Sequence, residues 1–141
     1  MSVSLDFLLV ADYAEAINGK IYIQGGGWDQ YFVNDRFPAE FRLGIAIGLR
    51  VPWDETNRNH ELEVSVHFDD VHAEVGRIEA KFEVGRPAGI AGGSSQFLPL
   101  GFNVPVSLPA GQYAVVATLG GETLGRASFG VVPGPMLSGR S

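Results

Sequence analysis

The sequence contains no cysteine among its 141 residues. This absence excludes disulfide bonds, thiolate nucleophiles and cysteine-ligated zinc sites together, and it fits a reducing compartment. The chain also lacks the roughly 18 consecutive apolar residues that a membrane-spanning helix needs. Its first residues carry no basic segment, and Asp6 and Asp12 interrupt their apolar positions, which argues against a secretory signal. We therefore expect a cytoplasmic protein without a membrane partner.

Basic residues are outnumbered, with 10 Lys and Arg against 16 Asp and Glu and a net charge of −6. A general nucleic-acid binder needs a basic surface to neutralise phosphates, so we expect no nucleic-acid partner. Acidic residues become scarce after Glu83, and residues 87–121 contain no Asp, Glu, Lys, Arg or His. Because a solvated sheet normally carries charge on its outer face, this run predicts strands that are covered on both faces, by the same chain or by another subunit.

Helical periodicity is also scarce, and apolar residues alternate instead, which is the main signal of β-strands. The clearest strand is predicted over residues 41–51, and residues 62–68 and 78–84 repeat its pattern. In the first strand the alternating residues are Val3, Leu5, Phe7 and Leu9. Only residues 12–17 could make a helical turn, and this segment is too short to stand as a helix alone. The dipeptides at 18–19 (Asn-Gly) and 120–121 (Gly-Gly) predict hairpin turns.

These patterns predict an all-β fold, a single antiparallel β-sandwich of immunoglobulin-like kind with about eight strands. A closed β-barrel is the alternative. Pro99 and Pro105 lack the N–H that a ladder needs, so residues 97–108 are predicted to form an edge strand or a bulged one. The sandwich domain is predicted over residues 1–132, and residues 133–141 are predicted to be a C-terminal tail.

The most ligand-like cluster is the sequence HFDDVHAE at residues 67–74. His67 and Asp69 lie two residues apart on a strand and therefore face the same side, and His72 could close a metal site from the following turn. The same residues also fit a strand end followed by a solvated turn, in which Asp-Asp is favoured. No zinc or calcium-loop spacing is met, so we expect no metal or other cofactor.

Two tryptophans each precede an aspartate. An exposed aromatic ring beside a carboxylate can stack on a sugar and hydrogen-bond at its rim, so Trp28, Trp53 and Asp54 are candidates for binding a carbohydrate or another small ligand. The alternative for Trp28 is that it fills the sandwich core, as large aromatic residues usually do. Trp53 lies in the polar segment 52–60 and is the better candidate for exposure.

Small or uncharged residues occupy one face of two predicted strands, opposite their large apolar residues. Within residues 41–51 such a face would be flat, so that another sheet or chain could approach closely. A two-layer sandwich covers only one face of each sheet, so these faces are predicted to meet a second copy or a partner protein. The alternative is cover by the Gly/Ser-rich segment 85–96 or by the tail. The predicted interface residues are Gly44, Ala46, Gly48, Ala114, Val116 and Thr118.

Catalytic motifs are missing as well. The sequence contains no Gly-x-Ser-x-Gly elbow, and nothing in its spacing places a base beside a nucleophile. We therefore predict no catalytic residue and no enzyme. The expected function is a structural or protein-interaction module that self-associates, or docks on a protein partner, through a charge-poor sheet surface.

Five segments, taken in order, resemble a known family. They are LLVADYA at 8–14, GKIYI at 19–23, GGGWD at 25–29, LPAGQYAV at 108–115 and FGVV at 129–132. The chain resembles, over residues 3–132, a family of small bacterial proteins carried as a domain of unknown function. The resemblance implies a compact β-sandwich and a bacterial source, and it supplies no catalytic residues.

Overall fold

Two-residue alternation runs along almost every segment of the computed structural model, which describes residues 2–135, and these segments are β-strands. The strands are β1 (Ser4–Ile17), β2 (Lys20–Gly26), β3 (Gln30–Val33), β4 (Ala39–Val51), β5 (Asn59–Phe68), β6 (Ala73–Glu83), β7 (Gln96–Leu108), β8 (Gly111–Leu119) and β9 (Glu122–Pro133). Two single-turn 3-10 helices cover Trp53–Glu55 and Asp69–Val71. Within residues 2–135, no helix has the length and apolarity that crossing a membrane requires.

The strands form two sheets that face each other across the core. The first sheet has the order β2-β1-β4-β7, and the second sheet has the order β3-β9-β8-β5-β6. The predicted β-sandwich is confirmed, and the two separate sheets exclude the closed barrel. The four-residue strand β3 was not predicted, and it pairs with β9 in parallel, whereas the other ladders are antiparallel. β7 lies at an edge of the first sheet, as its two prolines predict.

The core consists of the inward-facing residues of β4, β5, β8 and β9. Every second residue of β4 from Leu43 to Val51 is fully buried, and Leu62 and Val64 of β5 face them from the second sheet. Replacing one such large aliphatic residue with alanine costs about 2–5 kcal/mol, through lost burial and the cavity left behind. The predicted faces of residues 41–51 and 62–68 are therefore the buried faces.

β1 departs from its predicted alternation at Asp6. The register between β1 and β4 shifts between Leu5 and Phe7, which marks a β-bulge. After the bulge Leu8 and Val10 face the core, so the prediction that Phe7 and Leu9 continue the face of Leu5 is wrong. A bulge adds one residue to one strand, and every later side chain then changes face.

Residues 12–17, the one segment that could make a helical turn, continue β1 instead. Residues 13–17 pair with β2 across the two-residue turn, in which Asn18 and Gly19 have φ values of 53° and 75°. These values are those of a hairpin turn that Asn-Gly favours, and the hairpin ladder overrides a weak helical tendency. We call residues 12–24 the hairpin arm.

The predicted tail lies partly within the described residues. β9 extends to Pro133, and the amide N–H of Gly134 donates a hydrogen bond of 2.8 Å to the carbonyl oxygen of Val33. Residues 136–141 of the predicted tail lie outside the described residues.

Candidate interaction surfaces

The small residues of β4 allow the chain's own segments to approach the outer face of the first sheet. Gly44, Ala46 and Gly48 are all buried. A Cβ atom added at Gly44 would lie 2.8 Å from the carbonyl oxygen of Ala11 and 2.9 Å from the amide nitrogen of Tyr13. One added at Gly48 would meet the rings of Phe7 and Phe97. The close approach that the sequence predicts is present, but the same chain makes it, so these three residues are not available to a second chain.

The hairpin arm is held on this outer face by β7. The side-chain amide of Asn103 accepts a hydrogen bond of 3.1 Å from the backbone N–H of Ala14 and donates one of 2.7 Å to its carbonyl oxygen. Gly101 lies beneath the same stretch, since a Cβ there would be 2.8 Å from the oxygen of Ala14 and 2.9 Å from the nitrogen of Glu15. The arm thus covers part of the outer face of the first sheet. The sequence predicts that the Gly/Ser-rich segment 85–96, the tail or a partner would cover it instead.

The other three predicted interface residues lie on the outer face of the second sheet. Ala114, Val116 and Thr118 belong to β8, and Ala114 is fully buried. The ladder places His67 opposite Ala114 and Arg126 opposite Val116. Titratable side chains therefore flank this apolar stripe. The six predicted residues are divided between opposite outer faces, so the single charge-poor sheet surface predicted from the sequence is not formed.

The three candidate metal ligands are brought together, but their geometry is not that of a metal site. His67, Asp69 and His72 line one surface depression of about 270 Å³ with Arg126. The Nε2 atom of His67 lies 2.8 Å from the Oγ atom of Ser65, and the carboxylate of Asp69 accepts a hydrogen bond of 3.1 Å from Arg126. Over residues 2–135, no group of three or more His, Cys, Asp or Glu residues could hold a metal ion. The reading as a strand end followed by a turn describes this segment, since Asp69–Val71 is a single 3-10 turn.

Trp28 belongs to an aromatic cluster beside the core. Its ring meets the ring of Phe129 edge-on at 5.8 Å and lies 5.8 Å from that of Tyr31. Tyr31 in turn stacks on Phe41 at 3.9 Å. The alternative reading of Trp28 as a packing residue is therefore the one that its geometry fits.

Trp53 lies at the other end of β4 and is covered on one face. The guanidinium of Arg86 lies 3.9 Å from the centre of its indole ring and donates a hydrogen bond of 2.8 Å to its carbonyl oxygen. Asp54 follows in the same 3-10 turn. The 13 residues of β4 extend roughly 40 Å at the usual strand rise, and Trp28 packs near the start of that strand. A carbohydrate site that combines Trp28 with Trp53 and Asp54 is therefore not formed.

A cleft opens at the end of the sandwich where β4 finishes, and the sequence does not indicate it. It has a volume of about 450 Å³, and its lining includes Glu55, His60 and Glu61. The Nε2 atom of His60 lies 2.8 Å from the carbonyl oxygen of Glu55, and its ring stacks on Phe82 at 5.1 Å. Glu55 pairs with Arg58 of its own loop at 3.1 Å, and Glu61 pairs with Lys81 of the neighbouring strand β6 at 3.5 Å. His60, Glu55 and Glu61 of this cleft are thus each held by a neighbouring residue.

The hairpin arm displays an apolar patch. Tyr13, Ile17 and Tyr22 are 39%, 43% and 51% exposed. The ladder pairs Tyr22 with Glu15, so Tyr22 lies on the same face of the arm as Tyr13 and Ile17. We call these three residues the arm patch. The sequence-based predictions do not include it, because their alternation in the first strand ends at Leu9 and residues 12–17 also fit a helical turn. The signal that could have found it is the alternation on both sides of the Asn-Gly turn.

Tyr113 is a buried residue of the second sheet whose side-chain pKa is raised. It is fully buried and stacks between Phe68 at 4.6 Å and Phe129 at 5.4 Å, while its hydroxyl donates a hydrogen bond of 2.6 Å to the carbonyl oxygen of Pro109. Burial, with a smaller contribution from the Asp70 carboxylate, raises the pKa of Tyr113 to about 12. The first cause is burial, so the shift follows from the packing of Tyr113 between the two rings.

The raised pKa of Tyr113 predicts alkaline instability. Because the folded pKa of about 12 exceeds the ordinary value of 10.0, the neutral hydroxyl contributes stability that is fully present below pH 10 and is lost as the pH rises towards 12. Urea unfolding at a series of pH values measures this loss. Tyr113→Phe should lower the free energy of unfolding by about 1 kcal/mol at neutral pH, through the lost hydrogen bond, and should flatten its fall above pH 10. Parallel curves for the two proteins would contradict the assignment.

Comparison with known proteins identifies a family and distantly similar solved structures. The model of a family of unknown function (DUF6941) matches residues 6–132. No curated protein matches the sequence. A similar solved structure is that of a glycosyl hydrolase family 2 member from Bacteroides cellulosilyticus DSM 14838, with 12% sequence identity and a TM-score of 0.46. The similarity covers 82% of this chain and 18% of that chain.

Proposed function

The chain belongs to the family of unknown function DUF6941, and from its geometry we propose a non-catalytic interaction module that self-associates through the hairpin arm. The observation that carries this proposal is the arm patch. Contiguous exposed apolar side chains on a soluble protein mark interaction sites more often than scattered ones do. Two tyrosines and an isoleucine on one face of one hairpin form such a group.

The mounting of the arm supports this role. Asn103 bonds both backbone groups of Ala14, and the glycines at 44 and 101 leave room for the arm's backbone against the sheet. A patch that is already held in place loses little conformational freedom when it binds, which favours association. The arm therefore presents Tyr13, Ile17 and Tyr22 as a preformed surface.

The charges around the arm patch favour a second copy of this chain as the partner. Glu15 and Lys20 lie on the same face as the patch, so the face carries one charge of each sign in a chain whose net charge is −6. A two-fold contact brings the same patch of both copies together, so a patch that carries both signs can match itself, whereas a patch of one sign would repel its copy. A strongly basic or acidic partner would instead fit a patch of one sign.

Three further observations support the non-catalytic part of the proposal and its location. In the cleft near His60, the imidazole, Glu55 and Glu61 are held by neighbouring residues, and the raised pKa of Tyr113 comes mainly from burial. The absence of cysteine supports the proposal that the protein works in the reducing cytoplasm.

Sedimentation velocity over about a hundredfold range of protein concentration tests the self-association, because a reversible assembly dissociates on dilution. We expect a species heavier than the 15.1 kDa chain at high concentration. Tyr22→Arg should weaken the association at least about tenfold, since it introduces a charge into the patch. Phe32→Arg is the matched control, because Phe32 is 60% exposed but lies on β3. A 15.1 kDa monomer at every concentration, or equal effects of the two variants, would refute self-association through the arm.

A further inference from the structure

We infer that two copies pair through their β2 strands, antiparallel and with Tyr22 on the two-fold axis, so that the two first sheets become one continuous sheet. This inference rests on the proposed self-association and specifies its geometry. It follows from three properties of β2: an unprotected edge, the direction of its backbone groups, and a register that opposes no like charges.

β2 is the edge strand that carries the least protection against pairing. An exposed strand edge pairs readily with another chain unless prolines, charges or shortness prevent it. β7 has Pro99 and Pro105, β3 has only four residues, and β6 carries five charged side chains among its 11 residues. β2 has no proline, and its single charged residue is Lys20, at its first position. Within residues 2–135, no strand pairs with the outer edge of β2.

The contact between Asn103 and Ala14 shows which backbone groups point outwards. Both backbone groups of Ala14 bond to Asn103, so they point away from β2, and Ala14 and Ile23 form a non-hydrogen-bonded pair of the β1–β2 ladder. In an antiparallel ladder these pairs alternate with hydrogen-bonded ones. The N–H and C=O groups of Tyr22 therefore point towards β1, and those of Ile21 and Ile23 point to the free edge.

A two-fold axis at Tyr22 uses those outward groups. Ile21 of each copy would then exchange backbone hydrogen bonds with Ile23 of the other, and the two Tyr22 residues would form a non-hydrogen-bonded pair, in which side chains lie closest. Lys20 would lie opposite Gln24 of the other copy, so no like charges meet. An aromatic pair directly across two strands stabilises their pairing.

The size of this contact sets its expected strength. One strand edge with the Tyr22 side chain from each copy buries an area at the low end of specific interfaces, below about 1,200 Å² in total. We therefore expect a reversible dimer that forms as the concentration rises, rather than an obligate one.

A single introduced cysteine tests the register directly, because the chain has no cysteine of its own. In a non-hydrogen-bonded pair the Cβ atoms lie about 4.5–5.5 Å apart, close to the separation that a disulfide spans. Tyr22→Cys under mild oxidation should give a covalent dimer in high yield on a non-reducing gel. Phe32→Cys is the matched control, because it is at least as exposed but lies on β3, and it should cross-link far less.

A charge exchange at the same position gives the second test. Tyr22→Lys and Tyr22→Glu each place like charges on the axis, so each variant should associate at least about tenfold more weakly than the unmodified chain. An equimolar mixture of the two should recover the dimer, because opposite charges then meet. Circular dichroism verifies that both variants are folded.

The results separate this inference from the proposed function. If the unmodified chain associates but Tyr22→Cys does not cross-link and the charge variants do not complement each other, pairing at Tyr22 is overturned and self-association stands. If the unmodified chain is monomeric at every concentration, both fail. Cross-linking above the control together with recovery in the mixture establishes the pairing.

Discussion

Ala46→Arg is expected to unfold the domain rather than to dissociate an assembly. Ala46 has no exposed surface and lies between Gly44 and Gly48, where the chain's own residues already occupy the space that a Cβ would need. An arginine there must displace this cover or leave its charge without a partner in a water-poor site. Leaving an uncompensated charge at a buried site costs about 3–5 kcal/mol, a large part of the stability of a typical domain.

The measurement is urea unfolding of Ala46→Arg beside Tyr22→Arg. Tyr22 is 51% exposed on the hairpin arm, so the same new side chain reaches water there, and we expect a change within about 0.5 kcal/mol. The expected pattern is one variant that loses stability and one that keeps it but associates poorly. A folded Ala46→Arg protein with unchanged stability that no longer associates would restore β4 as the contact surface.

Much of the sandwich can be predicted from residues that are close in sequence. The alternating segments at 41–51 and 62–68 become the inner faces of β4 and β5 because local alternation and burial coincide there. The Asn-Gly and Gly-Gly turns join β1 to β2 and β8 to β9, since both turns need backbone conformations with positive φ, which these residues tolerate. The prolines of β7 have an equally local meaning, because a missing N–H confines the strand to an edge.

What covers the outer faces depends on contacts between distant residues, and no local pattern predicts it. Asn103 and Ala14 are 89 positions apart, and nothing near either residue indicates their pairing. The small residues at 44, 46 and 48 correctly predict a close approach, but the same pattern suits a neighbouring strand, a hairpin of the same chain or a second copy. The bulge at Asp6 is not predicted by a local pattern either, and its one inserted residue reverses the faces of all later residues of β1.

The candidate metal site and the candidate carbohydrate site differ from their predicted geometry for a related reason. His67, Asp69 and His72 are close in sequence and do share one depression. Arg126, which is 57 positions from Asp69, bonds its carboxylate. Similarly, the sequence predicts that Trp53 is an exposed loop residue, but in the fold Arg86 packs on its ring. A cluster in the sequence predicts proximity well, whereas the chemical state of its members depends on partners from other strands.

Gly44→Val is expected to detach the hairpin arm. The new Cβ would meet the backbone of Ala11 and Tyr13 at 2.8–3.0 Å, and backbone atoms in a paired strand cannot move aside as the end of a flexible side chain can. Overpacking of this kind costs typically about 1–3 kcal/mol, so the free energy of unfolding should fall by that amount. Hydrogen exchange should also quicken at the amide of Ala14, because its bond to Asn103 depends on the arm staying in place.

The matched control is Gly76→Val on β6. A Cβ at Gly76 meets nothing within 4 Å, and valine suits a strand better than glycine does. We therefore expect Gly76→Val to change the stability by no more than about 0.5 kcal/mol and to leave exchange at Ala14 unaltered. If the arm presents the association surface, Gly44→Val should also abolish self-association at concentrations where it remains folded, and Gly76→Val should not. A Gly44→Val protein with unchanged stability and a protected Ala14 amide would show that the arm does not rest on β4.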